Sequence, residues 1–582
     1  MIKKKLSLIH GYRLQNRPVK EEFEQMSKHW YDQQTIYQIY PKSFNDSNHD
    51  GVGDIPGITA KVPYLQQLGI TTLWLNPIYQ SPQVDNGYDV SDYYQVDASL
   101  GTMADVEALI KTVHEHGMYI IFDFVLNHTS DQHPWFKQAV ADPNSKYRDY
   151  YLWQNPAADG GRPNNWGSFF GGSVWAKDPA GGPQYYFHLF DKRMPDLNWQ
   201  NPAVQQAMQD VAEFWVEKGI DGLRLDAFIH LAKADFRQTY PSQTGSTAPI
   251  ISDMFYAHLP KVHQYLHDFV ASIKTKHPDT YVVGEASSAD PHLMVDYTMP
   301  GAGECDQVIT FRTFADDRSQ DDARFSDAFQ PRPMDVTAYK QNTIGIQAAL
   351  ADTSLPTLYW NNHDMARVAT RYGDADYPEA SAKSLATALY LQRGVPIIYY
   401  GEELGLTNIR YQDVADFEDQ TVPDFVASAK AAGKTTAEIM RMLNKTHKMA
   451  GRGPMQWDKT QYHGFSDHLP WKHGETDTMN AEAEIADPDS IYNYYRQLLR
   501  LKRQALFTNG QFIMLGSNEQ LFTYLIDDGN EQAAVICNLS ADTQTYQLPF
   551  TGKRVLLMQG GATYAERQVT LPAWSSLVVT SV

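Results

Sequence analysis

The stretch Gly222-Leu-Arg-Leu-Asp-Ala-Phe228 decides the fold, because an apolar, strand-like run ends there on a cation and a carboxylate. Side chains alternate along a strand, so Arg224 and Asp226 share one face while the two leucines point to the other. A carboxylate at the end of a strand can act as a nucleophile when a nearby cation keeps it ionised. A structural salt bridge that closes the strand is the alternative which this heptapeptide leaves open.

Seven further apolar runs are spaced along the chain with enough residues between neighbours for a helix. The clearest helices are predicted at 59–68 and 103–116, each followed by a glycine. Together with the opening stretch, the predicted strands are 35–40, 71–75, 118–125, 222–225, 280–283, 307–310, 356–360 and 396–400. Strands that alternate with helices are typical of a parallel sheet. Eight of them predict an α/β fold, a (β/α)8 TIM barrel whose polar site groups gather at the carboxyl ends of the strands.

Other parts of the chain have a different sequence pattern from the barrel, which we assign to 26–128 and 197–501. Residues 1–25 are predicted to be an N-terminal extension. Clusters such as Gly160-Gly-Arg-Pro-Asn-Asn-Trp166 predict that 129–196 is an inserted, loop-rich subdomain B after the third strand, roofing the site. A second loop-rich excursion is predicted at 402–480. Short alternating strands predict an antiparallel β-sandwich at 502–582.

Composition excludes several classes of function. The net charge of −20 disfavours nucleic acid and anionic membranes as partners, because both require Lys and Arg to neutralise phosphate. Two distant cysteines form no disulfide framework and suit a reducing compartment. The sequence contains no apolar run of about 18 residues, the length that a membrane-spanning helix requires. We therefore expect a cytoplasmic monomer or weak homo-oligomer that acts on a small neutral ligand.

The loop after the first strand carries oxygen-bearing side chains at alternating positions. It reads Asp46-Ser-Asn-His-Asp-Gly-Val-Gly-Asp54, and its glycines permit the sharp turn that a hard cation requires. A polar turn without a metal is the alternative. The predicted ligands are the side chains of Asp46, Asn48, Asp50 and Asp54 with the carbonyl of Val52. We expect Ca²⁺, or Mg²⁺, to brace this loop without taking part in chemistry, and we expect no organic cofactor.

Charged groups follow several of the predicted strands. They are Asp123, Asn127 and His128 after the third strand, Arg224 and Asp226 after the fourth, Glu285 after the fifth and Asn362-His-Asp364 after the seventh. Carboxylates at one barrel mouth repel one another and cost stability unless cations or function require them. The set therefore predicts an active site.

These motifs resemble those of the α-amylase-type glycoside hydrolases, glycoside hydrolase family 13, and most closely the α-glucosidase and oligo-1,6-glucosidase branch. The matching motifs are Asp123-Phe-Val-Leu-Asn-His128, Gly222-Leu-Arg-Leu-Asp226, Gly284-Glu285, Asn362-His-Asp364, Asp85-Asn-Gly-Tyr88, Met194-Pro-Asp-Leu-Asn198 and Arg452-Gly-Pro-Met-Gln-Trp457. The resemblance covers nearly the whole chain, and the motifs are specific when taken together.

The resemblance implies a retaining mechanism with three carboxyl groups. Asp226 would attack the anomeric carbon while a protonated Glu285 acts as general acid and later as base. Asp364 would hold hydroxyls of the distorted ring and stabilise its positive charge. By the same resemblance Arg224 keeps Asp226 anionic, and His128 and His363 donate hydrogen bonds to glucosyl hydroxyls.

The resemblance also implies a pocket for one terminal glucose. Asp85 and Arg452 would close it around the non-reducing end, and Tyr88 would be a stacking platform. A residue smaller than valine after the nucleophile accompanies α-1,4 specificity in this branch, so Ala227 favours maltose and short maltodextrins. The alternatives are an α-1,4-glucosyltransferase that disproportionates maltodextrins and an oligo-1,6-glucosidase that acts on isomalto-oligosaccharides.

Three positions depart from the family pattern and leave the outer subsites open. They are Ile229, Tyr400 and the segment Lys448-Met-Ala-Gly451. A trehalose-6-phosphate hydrolase would need an extra cationic site for the phosphate, which we do not identify in the sequence. A catalytically inactive, transporter-associated relative would lack a strand-end carboxylate, and all three are present.

Overall fold

The computed structural model describes residues 29–240, 249–314 and 327–581; the predicted extension at 1–25 lies outside the described residues. Within those ranges, eight parallel strands form the central sheet: β1 Ile36–Ile39, β2 Thr72–Leu75, β3 Tyr119–Val125, β4 Gly222–Asp226, β5 Tyr281–Glu285, β6 Gln307–Ile309, β7 Thr357–Leu358 and β8 Val395–Tyr399. Their order in the sheet is β6-β5-β4-β3-β2-β1-β8-β7. Every residue of β1, β2, β4 and β8 is buried, as expected for strands covered on both faces.

Side-chain hydrogen bonds join the two outer strands of this order. Thr357 Oγ1 donates to the Val308 carbonyl at 3.0 Å, and Tyr359 Oη donates to the Thr310 carbonyl at 2.7 Å. These contacts bring β7 beside β6 and close the sheet. The predicted (β/α)8 barrel is therefore confirmed.

The helices that surround the barrel begin and end on recognisable signals. The longer ones are α1 Ile55–Leu68, α2 Met103–Glu115, α3 Pro202–Glu217, α4 Pro260–Lys274, α5 Pro291–Thr298, α6 Val336–Ala349, α7 Pro378–Tyr390 and α8 Ile491–Lys502. Helix α1 begins four residues before the predicted start, because the Asp54 side chain caps it by accepting a 2.6 Å hydrogen bond from the Gly57 amide. It ends at Gly69, whose φ of 106° an L side chain rarely adopts.

The inserted segment after β3 has its own small sheet and core. Its antiparallel strands are Trp153–Gln154, Tyr185–Phe187 and Trp175–Lys177, and a helix precedes them at Pro134–Ala141. Asp196 ties this roof to the barrel: its Oδ2 lies 2.8 Å from Lys233 Nζ and accepts a 2.9 Å hydrogen bond from Asn127 Nδ2. The roof is therefore anchored directly beside the carboxyl end of β3.

The tail is antiparallel β structure, as predicted. In the described part of the chain it comprises β9 Gln511–Met514, β10 Leu521–Asp527, β11 Gln532–Asn538, β12 Gln544–Gln547, β13 Arg554–Gln559, β14 Thr563–Ala565, β15 Gln568–Leu571 and β16 Ser576–Thr580. One sheet has the order β9-β10-β11-β16-β13 and the other β12-β15-β14. Buried side chains from both sheets, including Ile536, Val569 and Leu577, share one apolar core.

The segment 402–480 differs from the loop-rich excursion that we expected. It contains the helices Thr421–Ala431, Thr436–Thr446 and Lys448–Gly451. Thr435 and Glu438 form a reciprocal capping box at the start of the second helix, and Phe417, Phe425 and Leu443 belong to a separate buried cluster. Short helices gain most of their stability from such tertiary packing.

The remaining short helices are Asp253–Tyr256, Val368–Arg371, Ala481–Ala486 and Ala505–Asn509. None of the helices in the described ranges is both long and apolar enough to cross a membrane.

Candidate active site

Arg224 is the centre of a cluster of carboxyl groups at the carboxyl ends of β3, β4 and β5. Its Nη1 donates to Asp123 Oδ1 at 2.6 Å and to Asp226 Oδ1 at 2.8 Å, and its Nη2 contacts Glu285 Oε2. The arginine side chain is 1% exposed, whereas those of Asp226 and Glu285 are each 13% exposed. One guanidinium group thus places the two predicted catalytic carboxyl groups side by side with access from outside.

The electrostatics of Asp226 follow from this arrangement. Burial raises the pKa of its carboxyl group, the Arg224 guanidinium opposes that rise, and the neighbouring Asp123 adds to it. Arg224 itself stays protonated, because the adjacent carboxylates outweigh the effect of burial on its pKa. The arginine is therefore the group that stabilises an anionic nucleophile in this position.

Asp123 connects this cluster to Tyr88 and His363. Tyr88 Oη donates to Asp123 Oδ2 at 2.9 Å, and His363 Nε2 lies 2.6 Å from Tyr88 Oη. Gln38 Nε2 donates to His363 Nδ1 at 2.8 Å, so the proton of the imidazole resides on Nε2. Burial lowers the pKa of His363 and keeps the ring neutral.

The same contacts bear on the predicted roles of Tyr88 and His363. The two rings stack with centroids 5.3 Å apart and an interplanar angle of 7°, so one face of Tyr88 is covered by protein. Both ring nitrogens of His363 have protein partners. Stacking of Tyr88 on a sugar, and donation from His363 to a glucosyl hydroxyl, stay predictions.

Asp364 lies beside His363, whose Nε2 is 3.1 Å from its Oδ2, and it is held by cations. Arg452 Nη2 donates to its Oδ1 at 3.3 Å, and Lys448 Nζ lies 3.7 Å from the same oxygen. Burial alone raises the pKa of Asp364, but its neighbours, with Lys448 and Arg452 as the cations, bring it below its usual range. With 28% of its side chain exposed, Asp364 is an accessible anion.

Asp85 belongs to the same end of the pocket. Burial raises the pKa of its carboxyl group, while the charges of Lys448 and Arg452 oppose the rise. Asp85 therefore lies within electrostatic reach of Asp364 and Arg452, and the closed pocket end that it would form with Arg452 stays a prediction.

His128 and Ala227 have unusual local environments. His128 is 1% exposed, and burial lowers the pKa of its imidazole to about 4. Its Nδ1 lies 3.3 Å from Asn127 Nδ2, and within the described residues its Nε2 has no hydrogen-bond partner. Ala227 has a φ of 48° and a ψ of 22°, a left-handed conformation that a residue with a side chain adopts at a cost. That strained residue directly follows Asp226.

In the predicted metal loop, aspartate side chains accept hydrogen bonds from the loop's own backbone amides. Asp46 Oδ1 accepts from the amides of Asn48 and His49, and Asp54 Oδ2 accepts from the amides of Ser47 and Asn48. The donor set of carboxylate, amide and carbonyl oxygens suits a hard cation. In the ranges that the structure describes, however, no group of three or more His, Cys, Asp or Glu residues is placed to hold a metal ion. The calcium site stays a prediction.

Sequence reasoning missed several residues of the pocket. Gln38 and Asn76 lie in or just after apolar strands. Gln38 Nε2 donates to Asn76 Oδ1 and His363 Nδ1, and Asn76 Nδ2 donates to Asp123 Oδ2. A single buried amide in a strand gives no signal in the sequence. Lys448 belongs to a segment that departs from the family pattern, but its contact with Asp364 depends on the packing of a short helix far along the chain.

Comparisons with known proteins agree with this geometry. The family description "Alpha amylase, catalytic domain" matches residues 38–510, and "Alpha-amylase SusG C-terminal domain" matches residues 521–578. An oligo-1,6-glucosidase of Parageobacillus thermoglucosidasius is 36% identical over 95% of this chain and 99% of its own length. A trehalose-6-phosphate hydrolase of Bacillus subtilis is 37% identical over 94% of this chain and 98% of its own.

A solved structure described as a family GH13_31 enzyme is 48% identical, covers 95% of this chain and 100% of its own, and has a TM-score of 0.87. The barrel, the carboxyl groups around Arg224 and these matches have one explanation: the chain belongs to the alpha-amylase family, glycoside hydrolase family 13, in its α-glucosidase branch.

Proposed function

We propose that the protein is a retaining, exo-acting α-glucosidase that releases the terminal non-reducing glucose of short α-1,6-linked gluco-oligosaccharides. The observation that carries the proposal is the contact of Asp226 and Glu285 with the same guanidinium group. Double displacement at a sugar carbon requires two neighbouring carboxyl groups, separated by about 5 Å, on opposite sides of the scissile bond.

The chemistry follows from the two carboxyl groups. Asp226 attacks C1 of the terminal glucosyl unit while Glu285 gives its proton to the departing glycosidic oxygen, which leaves as an alcohol. Water then attacks the glycosyl ester and loses its proton to Glu285, which restores both residues and retains the anomeric configuration. Asp364 faces the pocket as an anion and stabilises the positive charge that develops on the ring.

Two features support exo action. Asp364 is paired with Lys448 and Arg452, Asp85 lies within electrostatic reach of the same two cations, and the roof is anchored beside β3 through Asp196. A pocket closed at one end accepts a chain terminus and excludes the middle of a polysaccharide.

The linkage is proposed from the oligo-1,6-glucosidase that matches almost the whole chain. The α-1,4 specificity that we expected from Ala227 therefore becomes the second candidate. The alanine remains a specific observation in favour of maltose and maltodextrins, since a small buried residue follows the nucleophile.

Chromatography of the products from isomaltose and maltose tests both linkages. We expect glucose from isomaltose at a higher kcat/KM than from maltose; the reverse order would favour the second linkage. With concentrated sugar, longer oligosaccharides without a matching amount of glucose would identify a glucosyltransferase. No glucose from either disaccharide would contradict the proposed activity.

A phosphorylated sugar fits the pocket less well. Binding a phosphate needs surplus positive charge, but at the closed end Lys448 and Arg452 face the two carboxylates Asp85 and Asp364. We therefore propose a neutral substrate.

Calcium at the loop 46–54, a cytoplasmic location and a monomeric or weakly associated state stay predictions of the sequence. If the calcium prediction holds, adding Ca²⁺ to chelator-treated protein raises the midpoint of thermal unfolding, because an ion bound only by the folded state stabilises it. Magnesium serves as the comparison, and an unchanged midpoint with both ions would contradict a structural metal.

A further inference from the structure

Lys448 lies between the barrel and the roof at the closed end of the pocket. It is the first residue of the helix Lys448–Gly451, and its Nζ is 3.7 Å from Asp364 Oδ1. On the other side, Nζ is 5.6 Å from the ring centroid of Phe170, which belongs to the inserted segment. The side chain is 22% exposed, so part of it is accessible from outside.

The ammonium group of Lys448 has more unused hydrogen-bonding capacity than the guanidinium group of Arg452. Arg452 Nε donates to the His363 carbonyl at 2.7 Å, and its two terminal nitrogens lie 3.3 Å from Tyr40 Oη and Asp364 Oδ1. The 3.7 Å separation between Lys448 and Asp364 is an ion pair and too long for a hydrogen bond. A lysine has three N–H donors, and this contact leaves them available for a ligand.

Lys448 also keeps its charge in this environment. Burial lowers the pKa of an ammonium group, but Asp364 and Asp85 more than compensate and raise the pKa of Lys448. The charged groups that face it are Asp364, Asp85, Arg452 and Asp419.

We propose that Lys448 is a further substrate-binding residue, which donates a hydrogen bond to a hydroxyl group of the terminal glucosyl unit and thereby contributes to the choice of sugar. The inference rests on the proposed exo-acting α-glucosidase activity. It assigns a hydroxyl-binding role to a residue that the family pattern singled out only as a departure.

The first experiment compares Lys448→Met with Lys448→Arg, using nitrophenyl α-glucoside. A charge-assisted hydrogen bond to the sugar is expected to make kcat/KM of Lys448→Met about 10- to 100-fold lower than that of the wild type. Lys448→Arg keeps the charge and should recover most of the loss. The matched control is Lys445→Met, an exposed lysine on the preceding helix, which should behave like the wild type.

The second experiment identifies the contact itself. Glucose and its 2-, 3-, 4- and 6-deoxy analogues are tested as competitive inhibitors of the wild type and of Lys448→Met. For one analogue, the wild type should lose affinity relative to glucose while the variant loses much less, because the partner of that hydroxyl is already absent. A purely structural lysine would weaken all five sugars by the same factor.

Two outcomes overturn the inference. One is a kcat/KM of Lys448→Met within about twofold of the wild type. The other is a set of inhibition ratios that is identical in both proteins. Failure of the proposed function has a different signature, since the wild type itself would then release no glucose from isomaltose or maltose.

Discussion

Two clusters of acidic side chains lie where the barrel strands end, and they differ in their hydrogen-bond and ion-pair partners. Asp123, Asp226 and Glu285 share the guanidinium of Arg224. Glu402 and Glu403 follow β8 and are bound by tyrosines: Tyr37 and Tyr64 donate to Glu403 Oε1 at 2.8 and 2.7 Å, and Tyr495 donates to Glu402 Oε1 at 3.0 Å.

Access to solvent also separates the two groups. Asp226 and Glu285 each keep 13% of the side chain exposed, whereas Glu402 and Glu403 are 3% and 0% exposed as residues. Burial raises the pKa of both Glu402 and Glu403, and neutral hydroxyl donors offset this only in part. A carboxyl group at a barrel mouth is therefore suited to catalysis when it has both a cation and an opening; the closed, tyrosine-bound pair is suited to a structural role.

Asp226→Asn should give the largest effect and is the strongest test of this distinction. An amide cannot form the glycosyl ester, so we expect kcat to fall by about 10⁴-fold or more, while thermal unfolding stays close to that of the wild type. Initial rates with nitrophenyl α-glucoside provide the measurement. Asp210→Asn, on the exposed face of α3, is the control. Substantial residual turnover by a homogeneous Asp226→Asn preparation would remove Asp226 as nucleophile.

Arg224→Lys tests whether the cation itself defines the catalytic group. A lysine has no planar fork and cannot contact three carboxyl groups in the same way, so kcat/KM should fall by about 10²- to 10³-fold. The free energy of unfolding should fall by about 3 kcal/mol, since buried carboxylates lose a partner. Urea unfolding and steady-state kinetics measure both.

Arg237→Lys is the matched control, because Arg237 pairs with Asp235 at the surface with 90% of its side chain exposed. An exposed pair contributes little to stability. If Arg224→Lys and Arg237→Lys had equal effects, the distinction between the arginine-bound and the tyrosine-bound carboxyl groups would be wrong.

Glu403→Gln should have the smallest effect on activity, within about twofold of the wild type, and a pH-dependent effect on stability. The Glu403 Oε2 atom has no hydrogen-bond partner among the described residues, so an amide nitrogen can replace it. The folded-state pKa of Glu403 is raised above the unfolded value of about 4.3. Its contribution to stability is therefore present below pH about 4.3 and is lost as the pH rises through the folded-state pKa.

Glutamine has no such proton to lose. The free energy of unfolding of Glu403→Gln, relative to the wild type, should therefore increase as the pH rises from 4 towards 8, measured by urea unfolding. Glu438→Gln, at the exposed cap of the helix Thr436–Thr446, should show no such increase. If the free energy of unfolding depended on pH in the same way for Glu403→Gln and the wild type, ionisation of the Glu403 carboxyl group would cost the folded state little stability.

By itself, the sequence determined the barrel and the strand ends that carry the proposed catalytic carboxyl groups. Eight apolar runs with intervening helices allow few other arrangements, and short motifs at the strand ends bring Asp226 and Glu285 to one mouth because the carboxyl ends of parallel strands meet there. The α1 start was predicted four residues late, since Asp54 reads equally as a cap and as a metal ligand.

Only the tertiary structure decided which neighbours these residues have. Whether a carboxyl group meets a cation or a tyrosine depends on contacts between residues far apart in the sequence, such as Tyr37 with Glu403 and Lys448 with Asp364. Local patterns carry no record of such contacts, because hydrophobic periodicity specifies which face is buried and leaves open which side chain lies opposite. The partners set the charge and the access of each carboxyl group, and with them its chemistry.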